Sequence, residues 1–251
     1  MDARSLLISA AGLALASLLG SAAGIALRRI PHKWNDILLG YCAGMMLAAA
    51  IVCLLMPAID ATGFAGSWQI ACGVAAGVSL VGLIDYFTPH LHRLSGLDIE
   101  HHRGKDNSAN RILMFVLAIA IHKFPEGIAA GIAFEGTSYG NAVAMAVTIG
   151  LQNIPEGMVV VTPLMLIGVK LWRVIGISLA VALLEVAGVY AGWFLGDISS
   201  LLLPALLGVA GGAMLYVISD EMMPETHAHG YEKPATYALI AGILTMLLIE
   251  S

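Results

Sequence analysis

The fold class this sequence predicts is an all-α integral membrane bundle of eight spans, and three observations carry that reading. Of its 251 residues 59% are hydrophobic and only 12% charged, with a mean hydropathy of +0.88, which does not describe a water-facing surface. A helix rises 1.5 Å per residue and the hydrocarbon layer is about 30 Å thick, so a spanning helix needs roughly 20 apolar residues, and eight such runs occur. Gly-x-x-x-Gly pairs recur at 20/24, 40/44, 73/77, 127/131, 188/192 and 208/212. In lipid, small residues let helix backbones approach closely, so these pairs predict a packed helical bundle and not a barrel.

Taken in order, the spans are expected at about 5–27, 36–58, 67–88, 110–134, 140–167, 173–195, 201–223 and 234–250, each bounded by Pro, Gly or charged residues, within one transmembrane domain covering 1–251. Lys and Arg in short loops set the orientation. Arg28, Arg29 and Lys33 follow the first span, and Arg93, Arg103, Lys105 and Arg111 surround the connection from the third to the fourth. Lys170 and Arg173 lie between the fifth and sixth, and Lys233 precedes the eighth. All ten fall on one side. The other side holds Arg4 among Asp60, Glu135 and Asp197, so both termini are expected to face away from the cytoplasm, in a multi-pass protein of the cell (inner) membrane. The first span is long and weakly basic at its start, and is read as retained, not as a cleaved signal peptide.

Several functions are excluded or disfavoured. Seventeen acidic against twelve basic residues, with no Lys/Arg-rich run, remove the footprint of a nucleic-acid binder. Cys42, Cys53 and Cys72 lie within apolar stretches and read as small packing residues, without a Cys-x-x-Cys motif. No P-loop occurs, so ATP hydrolysis of that type is not expected.

A charged residue at mid-membrane costs roughly 3 kcal/mol on insertion scales, so the few present are informative. The fourth span contains Ile121-His122-Lys123-Phe124-Pro125-Glu126-Gly127, the fifth Leu151-Gln152-Asn153-Ile154-Pro155-Glu156-Gly157, and the sixth Glu185. The first two share polar-polar-apolar-Pro-Glu-Gly on consecutive, hence antiparallel, spans. Repeat-built transporters place substrate at such an inverted pair. On one helix, Glu126 lies about 40° round from His122 and about 60° from Lys123, so an imidazole and a carboxylate stand one turn apart. Gln152, Asn153 and Glu156 repeat the arrangement. Nitrogen and carboxylate-oxygen donors of this kind suit borderline divalent metals such as Zn²⁺. Pro125 and Pro155 are expected to free the carbonyls of Ile121 and Leu151 or to bend the helices, and Gly127 and Gly157 to leave room for a partner helix. A second cluster, Asp220, Glu221, Glu225, His227 and His229, closes the seventh span. The long cytoplasmic loop, about 89–109, carries His90, His92, His101 and His102 among Asp98, Glu100 and Asp106. Both clusters are expected to offer weak exit-side ligands, although a solvated polar surface is the plainer alternative.

On these residues, together with the run Asp220-Glu221-Met222-Met223-Pro224-Glu225-Thr226-His227, the chain resembles the Zrt/Irt-like (ZIP) family of divalent metal transporters, bacterial type, over essentially its whole length. The resemblance implies a metal site between the fourth and fifth spans, and a homodimer working by elevator-like alternating access. It also implies that His122, Glu126, Gln152 and Glu156 line the primary metal position. Many bacterial members hold a second metal beside it. This sequence departs from them, with Lys123 where Asn is usual, Asn153 where Asp is common, and Asp220 where His often precedes the seventh-span Glu.

The expected function is import of Zn²⁺, or of Fe²⁺, Mn²⁺ or Cd²⁺, as transported substrate and not cofactor. The midplane site is expected to be mononuclear, with Lys123 replacing a second metal beside Asn153 and Glu185. An intramembrane zinc metalloenzyme is the rival, but no His-Glu-x-x-His motif supports it. A proton-coupled carrier of an organic substrate is a third reading, without an evident Arg or aromatic clamp. The expected partners are the divalent ion, the bilayer and a second copy of the chain.

Overall fold

The computed structural model describes residues 3–27, 31–87, 123–134, 138–166, 168–198, 202–227 and 230–250, all helical apart from short turns. Helix α1 is Ala3–Leu27 and α2 is His32–Ala49. The latter runs through a π segment, Ala50–Leu55, into α3, Met56–Phe87. Helix α4 covers 123–134, and α5 is Tyr139–Leu166. Then come α6, Leu171–Ile198, and α7, Leu203–Val217, which passes through a second π segment, Ile218–Met222, into the short α8, Met223–Thr226. Helix α9 is Glu232–Glu250. Seven helical stretches among the described residues are long and apolar enough to cross a membrane, and they correspond to all the expected spans except the fourth. Of the fourth, residues 110–122 lie outside the described part, as does the loop at 89–109.

Two spans are longer than expected, and proline explains both. The second continues past Pro57 to Gly63, and the seventh past Pro224 to Thr226. A proline lacks the N–H that the α ladder needs, and inside lipid the freed carbonyls must find other donors. Here the ladder slips by one residue just before each proline: the Met56 N–H donates to Ile51 O, and the Met223 N–H to Ile218 O. The chain therefore stays helical through Met56-Pro57 and Met223-Pro224. The second span ends at Gly63, whose φ of 62° and ψ of −171° are accessible essentially to glycine alone. Helix α5 starts where Ser138 Oγ accepts from the Asn141 N–H, an N-cap contact, and runs unbroken through Pro155.

All six Gly-x-x-x-Gly pairs lie at helix crossings. A Cβ on Gly20 would stand 2.1 Å from Ile154 O, and one on Gly24 3.0 Å from the Met158 Cα, which joins α1 to α5. Gly40 and Gly44 meet Ala235 and Leu239 of α9, whereas Gly73 and Gly77 meet Ala205 and Val209 of α7. Gly208 and Gly212 return the contact to Ile70 and Val74. Gly127 and Gly131 interlock with Gly188 and Gly192, so that α4 lies backbone to backbone on α6.

Two groups of helices follow from these crossings. In the first, α1 packs on both α5 and α6, and α4 on α6. In the second, α3 packs on α7, and α2 on α9, α7 and α8. Helix α2 is also the principal contact of the second group with the first, through α5. Of the twelve buried polar or charged side chains among the described residues, all but Asp36 and Thr226 stand on the first group. The second presents Met46, Leu54, Leu207 and Met214 to a mainly apolar core.

Candidate metal centre

Helices α4, α5 and α6 each bring a carboxylate to one buried cluster, and the glycine crossings explain how they come so near. Gly127 sits beside the backbone of Glu185, one residue from Glu126, and Gly157 sits against Ser17 and Ser21 of α1, one residue from Glu156. The ammonium of Lys123 is the hub. Its Nζ donates to Glu126 Oε2 at 2.7 Å, to Glu156 Oε2 at 2.5 Å and to Asn153 Oδ1. It therefore links α4 to α5. Asn153 passes the connection on, since its Nδ2 donates to Glu185 Oε1 at 2.6 Å and to Leu13 O at 3.3 Å. The amide orientation is fixed by chemistry, because a flip would set NH₂ against the ammonium and C=O against the carboxylate. Ser17 Oγ of α1 completes the Glu185 shell, donating to Oε2 at 3.0 Å.

Gln152 occupies the other side of Glu126. Its Nε2 donates to Glu126 Oε1 at 3.0 Å, while its own Oε1 is buried and has no hydrogen-bond partner among the described residues. A buried amide oxygen without a donor is costly, and a cation is the complement it lacks. Glu156 is the most open of the acids, with 12% of its side chain exposed against 1% for Glu126. Two carboxylates thus share one ammonium and a third reaches it through Asn153, an excess of negative character in a low-dielectric setting that favours a further cation. The second helix group supplies the facing wall, where the Cys42 thiol lies 3.6 Å from Gln152 O.

The structure brings Lys123, Glu126, Gln152, Asn153, Glu156 and Glu185 together as the sequence predicts. Glu185 faces Lys123 through Asn153, not by a direct ion pair. His122 lies outside the described residues, as do His90, His92, His101, His102 and His229. Among the described residues no three His, Cys, Asp or Glu side chains converge by themselves, and the Lys123 ammonium is what joins Glu126 to Glu156. Of the second cluster, Asp220 and His227 are exposed, Glu225 is half-buried, and the Glu221 side chain lies outside the described set. The His227 ring turns back on its own helix end, with Nδ1 2.7 Å from Met223 O. Sequence reasoning missed Ser17, the Leu13 carbonyl, Asp36 and the placement of Cys42. Ser17 is one of four serines in α1, with Ser5, Ser9 and Ser21, and nothing in the sequence singles it out. Cys42 and Cys53 are buried as expected of packing residues, but Cys72 is exposed on the outer surface.

A model of the ZIP zinc transporter family matches residues 88–250. The zinc transporter ZIPB of Bordetella bronchiseptica is 36% identical over 250 residues, covering 96% of this chain and 79% of that protein. The zinc transporter GufA of Myxococcus xanthus is 40% identical over 185 residues, 72% of this chain and 71% of the relative. ZupT of Clostridium perfringens, also a zinc transporter, is 29% identical over 258 residues, covering 92% and 90%. An all-helical membrane fold, acids and amides gathered on adjoining spans, and these matches together place the chain in the ZIP zinc transporter family.

Proposed function

We propose that this protein imports Zn²⁺ or a related divalent transition metal into the cytoplasm, binding one ion at mid-membrane through His122, Glu126, Gln152 and Glu156. The observation that carries this reading is the buried cation already seated there, the Lys123 ammonium held by Glu126, Glu156 and Asn153. A site that stabilises one cation between two carboxylates, beside an amide oxygen without a partner among the described residues, suits a second, mobile cation. Lys123 uses Oε2 of both glutamates, so it takes the electrostatic place of a second metal, and Asn153 connects it to Glu185.

The division into two helix groups supports an elevator-like mechanism. The polar group, α1, α4, α5 and α6, is tied together by glycine crossings and carries the site, so it is suited to move as one body along the apolar wall that α2 presents. A homodimer formed through the second group would anchor that wall. The Lys/Arg excess on the loops between the first and second, third and fourth, and fifth and sixth spans supports a cytoplasmic location for them, and hence import as the direction. On that side His90, His92, His101, His102, Asp220, Glu221 and His227 act as weak, solvated ligands at the exit.

Metal stoichiometry of the purified protein tests the site. One Zn²⁺ at the midplane is expected, rising to two when Lys123→Asn is combined with Asn153→Asp. Two ions in the unmodified protein, both lost in Glu126→Gln, would contradict the single-ion reading. Radiolabelled Zn²⁺ uptake into proteoliposomes tests transport itself, and its absence in well-folded protein would overturn the assignment.

A further inference from the structure

The hydrogen bonds of the buried cluster fix the charge of its members. Glu185 accepts at both carboxylate oxygens, from Asn153 Nδ2 and Ser17 Oγ, and Glu126 accepts at both, from Gln152 Nε2 and Lys123 Nζ. An acid that only accepts is ionised. Lys123 spends three donors on Glu126, Glu156 and Asn153, which is the pattern of an ammonium and not of an amine. Asn153 stands between Lys123 and Glu185, with its oxygen toward the cation and its NH₂ toward the carboxylate. Three negative charges therefore surround one positive charge. Among the described residues the other buried ionised side chain, Asp36, belongs to the second helix group.

From this count we propose that Lys123 and Glu185 form a charge-balancing pair, joined through Asn153, which leaves Glu126 and Glu156 to match one divalent ion, so that the loaded site carries no net charge while the polar group moves. The proposal rests on the one-ion, moving-group reading above and deepens it. Lys123 and Glu185 thereby select the valence of the cargo without ligating it. A monovalent ion would leave one negative charge in excess and a trivalent ion one positive charge, and either is costly beside the apolar wall that α2 presents. The same balance holds for Lys123→Asn combined with Asn153→Asp, where four carboxylates would match two divalent ions. A neutral loaded site also feels no net force from the membrane potential, so voltage acts on some other step of the cycle.

One-for-one exchange of radiolabelled Zn²⁺ across proteoliposomes, with Zn²⁺ saturating on both sides, isolates the loaded step because the empty site does not have to cross. In the unmodified protein the exchange rate is expected to stay within about twofold between zero and about 100 mV of either sign. Lys123→Gln leaves the loaded site with one negative charge and Glu185→Gln leaves it with one positive charge. Each single variant should exchange at least about tenfold more slowly, with a rate that changes by up to about sevenfold per 100 mV, the effect of one charge with half the field acting at the barrier. The double variant restores neutrality, and is expected to exchange faster than either single variant and to lose the voltage dependence. Side chains that serve only to hold the fold would give the opposite order, with the double variant slowest. That order in folded, Zn²⁺-binding protein overturns the proposal. So does exchange by the unmodified protein that changes more than about threefold per 100 mV, a measurement that needs no variant. Both results leave the one-ion site standing. Absence of any exchange by unmodified protein that binds Zn²⁺ overturns instead the transport reading beneath.

Discussion

The two helix groups use the same packing device for opposite ends. In both, glycine pairs bring backbones close enough that a Cβ would stand 1.9 to 3.0 Å from the facing chain in most cases, as at Gly44 against Leu239 and Gly24 against Met158. In the α2, α3, α7 and α9 group this proximity buries a mainly apolar core. In the α1, α4, α5 and α6 group it buries two carboxylates, an ammonium, two amides and a hydroxyl partner, with a third carboxylate, Glu156, partly open. Close backbone approach is therefore not itself a functional signal in this protein. The polar side chains that it encloses are.

That contrast is tested most severely at the carboxylates. Glu126→Ala, Glu156→Ala or His122→Ala is expected to lower Zn²⁺ uptake by about a hundredfold or more, since even groups that merely orient metal ligands are worth 10- to 100-fold. The proteins should still reach the membrane. Near-normal uptake by both glutamate variants at matched expression would remove the polar group from the transport role assigned to it.

A smaller effect separates packing from chemistry on a single helix. Gly20 and Gly12 both lie on α1, but a Cβ at Gly20 meets Ile154 O at 2.1 Å, whereas nothing lies within 4 Å of one at Gly12. Gly20→Leu should cost about 3 kcal/mol or more, because the obstacle is backbone and cannot rotate away. Gly12→Leu should stay within about 0.5 kcal/mol. Thermal unfolding in detergent compares the two. Equal losses would mean that the α1 and α5 crossing is not the rigid seam on which the site depends.

Much of this was legible in the sequence, for identifiable reasons. Glycine spacing marked the surfaces through which α1, α2, α3, α4, α6 and α7 approach a neighbour most closely, because in lipid close contact demands small residues at helical period. The same polar-Pro-Glu-Gly pattern placed Glu126 and Glu156 at one depth, and the cost of burying Lys123 announced that carboxylates must face it. What the sequence did not disclose was partnership between distant spans. Nothing local says that the fourth lies on the sixth, or that Asn153 would stand between Lys123 and Glu185. The passage of the chain through Pro57 and Pro224 was also hidden, because a proline in an apolar run reads as an end unless a slipped, π-type ladder is known to absorb it. Asp36 escaped notice for a related reason: it stands at the start of a span, where an acid is ordinarily solvated, yet it is fully buried.

The smallest effect is expected where the two groups touch. Two described hydrogen bonds cross between them, Cys42 Sγ to Gln152 O and Thr148 Oγ1 to Met246 Sδ, and each has sulfur at one end. Sulfur is a weak donor and a weak acceptor, so these contacts resist sliding far less than the charged bonds inside the polar group. Thr148→Val keeps the shape of the side chain and removes only the donor. A side-chain hydrogen bond between membrane helices averages about 0.6 kcal/mol, which bounds the loss of stability and, on the proposed elevator-like movement with the contact formed in one position only, bounds the change in uptake rate at about threefold. Ser17→Ala, inside the polar group, removes a donor from Glu185 and leaves that carboxylate under-solvated, at a cost of about 1–3 kcal/mol. Unfolding and uptake measured on both variants rank the two places. A Thr148→Val loss as large as that of Ser17→Ala would show that the boundary between the groups is knit as firmly as their interiors, and the wall would then have to move together with the site.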